Sequence, residues 1–167
     1  MKIVFAFLII FFSLHSFAQT ATLTRVRSLY ALSEKQEGAC KEMMELLSPY
    51  NEKNNPLFLG YKASATMMMA RYASNPFSKL SYFNRGKRML EKAVNADKNN
   101  IELRSLRFLV QSNVPSILGY SGEIESDRAF IINNAHFVQD PTLKKNIIYF
   151  MDRWGKLNQG EKSTLYK

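Results

Sequence analysis

Residues 88–120 read RMLEKAVNADKNNIELRSLRFLVQSNVPSILGY. A short polar break at Asp97–Asn100 separates two helical patterns. On a wheel of about 100° per residue, Ile101, Leu103, Leu106, Phe108, Leu109 and Val110 cover more than half the circle. A helix that is apolar nearly all round belongs in a core. The rest of the chain is therefore expected to be built around Ile101–Asn113. The polar positions of this helix fall in two groups. Arg104, Arg107 and Gln111 share one narrow stripe, and Glu102 sits apart on the Leu106/Leu109 side. With Asn99 as N-cap, Glu102 becomes the third helical residue of a capping-box-like N-x-x-E, its simplest use. A functional carboxylate is the other use.

The flanking segments give further helices by cap and period. Leu29, Leu32, Gln36, Cys40, Met43 and Leu47 step by three and four, which predicts a long first helix from about Thr22 to Leu47. Gly38, or the box Ser33-x-x-Gln36, is where it would split. Asn55-Pro56 and Asn75-Pro76 each pair an N-cap with proline at the first helical position. They open helices to about Tyr72 and about Ala96. Met67–Met69 fall in the first of these and read as core filling. Pro115 stops the central helix, and the apolar loop Val114–Gly122 is expected to pack down. A fifth helix follows over about Glu123–Val138. Asp127 lies inside its apolar stripe of Ile124, Ile131, Ala135 and Val138. Asp140-Pro141 starts the last helix, to about Leu157, with Leu143, Ile147, Phe150, Trp154 and Leu157 on one side. Residues 158–167 have no period and are expected to be a flexible tail. No segment alternates as a strand does.

The first 18 residues read as a secretory signal peptide. Lys2 gives the charge, Ile3–Phe12 is an apolar run too short to cross a bilayer, and Ser16-Phe17-Ala18 puts small residues before a cut at Gln19. The protein is thus expected to be exported, periplasmic or secreted, with one helical domain over residues 19–157. The formal net charge is +9, or +8 without Lys2. Such an excess suits an anionic surface, glycan or acidic partner, and for an exported protein nucleic acid is not expected. Plain solubility accounts for it equally well. The single cysteine, Cys40, cannot form an intramolecular disulfide and reads as a buried thiol on the stripe of Met43 and Leu47.

One repeat signal stands out. From Gly86 the pattern G-x3-L-x2-A-V-x2-D-K-x-N is carried by Gly86, Leu90, Ala93 and Asp97. It resembles the second half of a tetratricopeptide repeat, although Lys98 stands where that family has proline. Leu59-Gly60 resembles the Leu-Gly of the repeat's first helix, at a longer spacing than a regular unit. The string from Asn75-Pro76 through Glu102-x-Arg104-x2-Arg107 to Pro115-x2-Leu118-Gly119-Tyr120 is similar to a group of small exported helical proteins of Bacteroidetes. That resemblance implies export and an all-helical fold, and no activity. The expected architecture is all-α: antiparallel helical hairpins, a degenerate tetratricopeptide-like arrangement, with five to six helices.

Motifs that carry chemistry are scarce. Gly86-Lys87 is no phosphate loop: Ser81 stands where its first glycine belongs, and Arg88 where it needs Ser or Thr. Beyond the leader there is one histidine, His136, read as a capping or surface residue, so neither a His/Cys zinc site nor a serine triad is expected. No cofactor and no metal are expected. Three readings of function remain. The first is a helical binding or scaffold protein whose partner is another envelope or secreted protein. The second is a binder of a small anionic ligand, with Arg104 and Arg107 as the fork and Tyr61 or Tyr120 as walls. The third is a hydrolase using Glu102 and Asp127. Independently of these, Asp127 on an apolar stripe and the Arg104/Arg107 stripe on a central helix predict an ion pair with each other.

Overall fold

A computed structural model describes residues 19–167. The expected leader and its cleavage point lie outside them. Among the described residues there is no strand, and the α-helices number eight rather than five to six. They are α1, described over residues 19–32, and α2 (Glu37–Leu46), α3 (Pro56–Tyr72), α4 (Pro76–Ala96) and α5 (Ile101–Asn113). After a 3-10 turn at Ser116–Leu118 come α6 (Ile124–Asn134), a second 3-10 turn at Ala135–Phe137, α7 (Pro141–Trp154) and α8 (Gln159–Leu165). Among the described residues no helix is long and apolar enough to cross a membrane.

The three Asn-Pro and Asp-Pro starts form as their chemistry dictates. Asn55 Oδ1 accepts from the Phe58 amide at 3.0 Å, Asn75 Oδ1 from Ser78 at 2.8 Å, and Asp140 Oδ1 from Thr142 and Leu143 at 2.9 and 3.0 Å. Each proline follows at a position whose amide would have had no helical partner. The start of α5 differs from expectation. Asn100, not Asn99, is the cap, accepting from the Glu102 and Leu103 amides at 3.1 Å. Glu102 is then the second helical residue and takes no part in a capping box.

The other two differences account for the extra helices. The long first helix splits at residues 33–36, at the Ser33-x-x-Gln36 box rather than at Gly38, and there the Ser33 carbonyl is used from outside. Tyr72 Oη donates to it at 2.7 Å and the Cys40 thiol at 3.4 Å. Residues 158–167, expected as a loose tail, instead form α8. Asn158 Oδ1 accepts from the Glu161 amide at 3.0 Å while Glu161 Oε2 accepts from the Asn158 amide at 2.8 Å, a reciprocal capping box. Arg128 also donates to Glu161 Oε2 at 2.6 Å, and Leu165 is fully buried.

Helix α5 lies between two hydrophobic clusters, as a helix apolar nearly all round must. Leu103 and Leu106 join the larger one, with Val26, Phe58, Ala63, Leu90 and Ala93 from the first four helices. Phe108 joins the smaller one with Ile131, Ile147, Met151 and Leu165. Of the residues expected in the core, Leu103, Leu106, Leu90, Ala93 and Ile131 are buried, while Leu109, Val110 and Phe150 are half-buried. The most extensive helix contact is α3 against α4. A glycine permits it: a Cβ on Gly86 would stand 2.3 Å from Met67 Cγ and 2.7 Å from the Ala63 carbonyl oxygen. Gly119, at φ 57°, ends the first 3-10 turn in the left-handed region that glycine enters freely. The loop packs down through Leu118 and the buried Tyr120, but Ile117 stays 91% exposed.

Candidate functional site

The six residues singled out from the sequence fall into two constellations. Asp127, on α6, is fully buried. Arg107 Nε donates to its Oδ2 at 2.7 Å and Nη2 to its Oδ1 at 2.8 Å, a two-point fork that ties α5 to α6. Arg104 Nε stands 2.9 Å from Oδ1, close enough for charge attraction but not aligned as a hydrogen bond. The Arg104 guanidinium also lies 4.7 Å from the centre of the Phe130 ring. The remaining arm of Arg107, Nη1, reaches Glu91 Oε2 at 2.9 Å, and Tyr120 Oη donates to Glu91 Oε1 at 2.6 Å. Burial raises the Asp127 carboxyl above its usual range, against the pull of Arg107 and then Arg104. Burial likewise opposes the charge on Arg107, but Asp127 and Glu91 outweigh it and hold the guanidinium protonated.

This cluster is the expected ion pair, enlarged by Glu91, which no local pattern singles out. Asp127, a carboxylate of the chain itself, occupies the Arg107 fork and stands beside Arg104. Tyr120 is buried in the same network, and Tyr61 is not part of it.

Glu102 and Tyr61 meet on the other side of α5. Arg27, from α1, donates from Nε to Glu102 Oε1 and from Nη2 to Oε2, both at 2.7 Å. Its Nη1 donates to Asp140 Oδ2 at 2.6 Å, and Tyr61 Oη donates to Glu102 Oε1. Burial and then the charge of Glu102 push the Tyr61 phenol well above its ordinary value, so it stays a donor. Glu102 and Asp127 thus sit in separate ion pairs on different faces of α5. Arg27 was missed because nothing in α1's sequence marks it as different from its exposed neighbour Arg25, which pairs with Glu42.

The Arg27–Glu102 cluster closes one end of a cleft of about 730 Å³ between α1, α3, α5 and α7. The four helices line it in rungs. The first rung is Arg27, Tyr61, Glu102 and Leu143; the middle one is Tyr30, Ser64, Leu106 and Ile147. At the far end stand Met68 and Arg71 of α3, Leu109 and Val110 of α5, and Arg153 and Trp154 of α7. Their placement follows from period: Arg27 and Tyr30 share one stripe of α1, with Glu34 in the turn after it, and Leu143, Ile147, Phe150 and Trp154 share one stripe of α7. The methionine run divides its tasks. Met69 is buried away from the cleft, while the buried Met67 and the half-buried Met68 both line it.

Two further candidates, Cys40 and His136, lie outside these clusters. The Cys40 thiol is fully buried, and burial pushes it up and away from reactivity. His136 sits in the second 3-10 turn, its ring centre 3.8 Å from that of Phe137. Among the described residues no group of three His, Cys, Asp or Glu is placed to hold a metal ion. No family model, curated protein or solved structure matches this chain.

Proposed function

We propose that the chain is an exported helical binding or scaffold protein of the cell envelope, and that the cleft between α1, α3, α5 and α7 is its binding surface. The observation that carries this is the cleft itself. Its volume lies within the range of ligand sites, and its wall combines aromatic rings, an adaptable methionine and a few polar groups. Trp154, Phe150 and Tyr149 form a connected set of rings along one side, with centres 5.7 to 6.5 Å apart. Tyr149 is 54% exposed. Rings of this kind supply large contact area at small entropic cost.

On this reading the partner is another envelope or secreted protein, which offers an extended segment to the cleft. The α3–α4 pair, closed on Gly86, acts as a degenerate tetratricopeptide-like hairpin, and the neighbouring helices extend it into a concave surface. No catalytic role is assigned to any residue. Cleavage between Ala18 and Gln19 releases the protein to the periplasm or the medium. Mass spectrometry of the native protein tests this step, and a mass that retains Met1–Ala18 would refute it.

The binding surface is tested by affinity purification from the native envelope with two baits, the parent and Leu109→Arg. Leu109 lines the cleft and belongs to neither hydrophobic cluster, so the variant should fold and melt like the parent. A partner held by the parent and lost by Leu109→Arg supports the reading. Identical capture by both baits would refute it.

A further inference from the structure

The cleft is polar along its length, in the sense that its two ends differ in charge. At the first end, Arg27 is neutralised by Glu102 and Asp140. At the far end two arginines keep most of their charge available. Arg153 donates to Tyr149 Oη at 3.1 Å and lies 4.9 Å from the Trp154 ring centre, both neutral partners. Arg71 stands 3.8 Å from Glu34, and both side chains are more than 60% exposed, so water screens that pair. The two ends are fixed by chain direction. Asp140, immediately before α7, meets Arg27 beside the start of α5, so α5 and α7 begin at the same end. Tyr72 at the end of α3 bonds to Ser33, which places the end of α3 with the end of α1.

Between these ends the wall is mostly apolar. From Glu102 to its C-cap Val114, α5 advances about 18 Å along the cleft at about 1.5 Å per residue. That is the length of about five to six extended residues.

We infer that the cleft takes an extended peptide segment of apolar and aromatic residues that ends in acidic side chains, held in one direction with its acidic end at Arg71 and Arg153. This rests on the proposed binding function and adds the chemistry and direction of the occupant. The chain's net positive charge favours the same class of partner by steering it on approach. The carboxylates meet the two rim cations, and the apolar residues lie against Met68, Leu109, Val110 and Trp154.

Trp154 is the chain's one tryptophan, so its fluorescence reports occupancy directly. The probes are three synthetic hexapeptides with the same Leu-Phe-Tyr-Leu core, ending in Asp-Glu, in the neutral Asn-Gln, or in Lys-Lys. All are amidated, so the side chains alone carry charge. The expected result is that the acidic peptide binds about five- to tenfold more tightly than the neutral one, the product of two exposed ion pairs. The basic peptide should bind most weakly. In Arg71→Gln/Arg153→Gln the acidic and neutral peptides should bind alike. High salt should shrink the preference in the parent. Equal binding of acidic and neutral peptides by the parent would overturn the inference and leave the cleft as the binding surface. A preference that survives in the double variant would also overturn it, by placing the anion elsewhere. If no peptide changes Trp154 fluorescence or competes for the cleft, the peptide-binding reading fails with it.

Discussion

Asp127→Ala is the perturbation that most directly tests how α5 and α6 are joined. The carboxylate is fully buried, and both of its oxygens accept from Arg107. Its removal strands a guanidinium whose side chain is only 6% exposed. Breaking a buried pair from one side costs about 3–5 kcal/mol. The lower end applies here, because Glu91 at 2.9 Å remains as a partner and is 31% exposed, so Arg107 retains one charged contact near water. Arg104 is already 16% exposed and rests on Phe130, so it adds little to the loss. For a domain of this size about 3 kcal/mol corresponds to a melting temperature roughly 10 °C lower. Asp127→Asn should fall by less than half as much: burial already disfavours the charged carboxylate, and the amide oxygen still accepts from Arg107. The assay is thermal unfolding followed by circular dichroism, on the parent, both variants, Arg107→Met, and the double Asp127→Leu/Arg107→Met. The double variant should be far closer to the parent than the sum of its single parts, since it buries no unpaired charge. If Asp127→Ala melts with the parent, or if the two positions prove additive, the pair does not hold the helices together.

Two glycines should respond to alanine with opposite signs. Gly86→Ala drives a Cβ against the Ala63 carbonyl and Met67, and should cost about 1–3 kcal/mol. Gly38→Ala in α2 has open space around it and should gain up to about 1 kcal/mol; equal shifts at both sites in thermal melts would contradict the packing of α3 on α4. Leu165→Ala should cost about 2 kcal/mol or more and abolish hydrogen-exchange protection over α8, whereas a loose tail would show neither effect. Acid should destabilise the fold through Asp140 and Glu161. The Asp140 carboxyl is held below its usual range by the Leu143 amide and Arg27, and that of Glu161 by Arg128 and the Asn158 amide. A depressed folded value means that their contribution is complete above the unfolded value and is lost as pH falls through the folded one. Loss therefore sets in below about pH 4, and Asp140→Asn/Glu161→Gln should flatten the acid limb of the stability profile.

The features legible in the sequence were those with a local cause. Asn55-Pro56, Asn75-Pro76 and Asp140-Pro141 each carry their cap and their first helical residue side by side, so the helix starts needed no tertiary information. The Asp127 pair was legible for a related reason. A carboxylate on an apolar stripe and an arginine stripe on a helix apolar nearly all round each exclude solvent as a partner, which leaves the two to each other. The capping box of α8 is local too, but its hold depends on Arg128 from α6 and on one buried leucine. Ten residues with a single inward side chain show no period.

Glu102 shows where the same logic stops. Like Asp127 it is buried beside apolar residues, and like Asp127 it takes a two-point bond from an arginine. Yet it lies in the first turn of its helix, where capping supplies a sufficient local account, and that account absorbed it. Its partner Arg27 lies 75 positions away in a helix whose own pattern marks no role for it. A carboxylate near a helix start thus has a second explanation that the simpler one, capping, hides in sequence, and burial separates them. A capping glutamate keeps its carboxylate at the helix end, in water. One that is 5% exposed must have a cation brought to it from elsewhere in the chain. Here that cation comes from α1, and α1 is thereby drawn against α5 and α7 to form the closed end of the cleft. The residue that looked least in need of a tertiary partner is the one that ties three helices together beside the cleft.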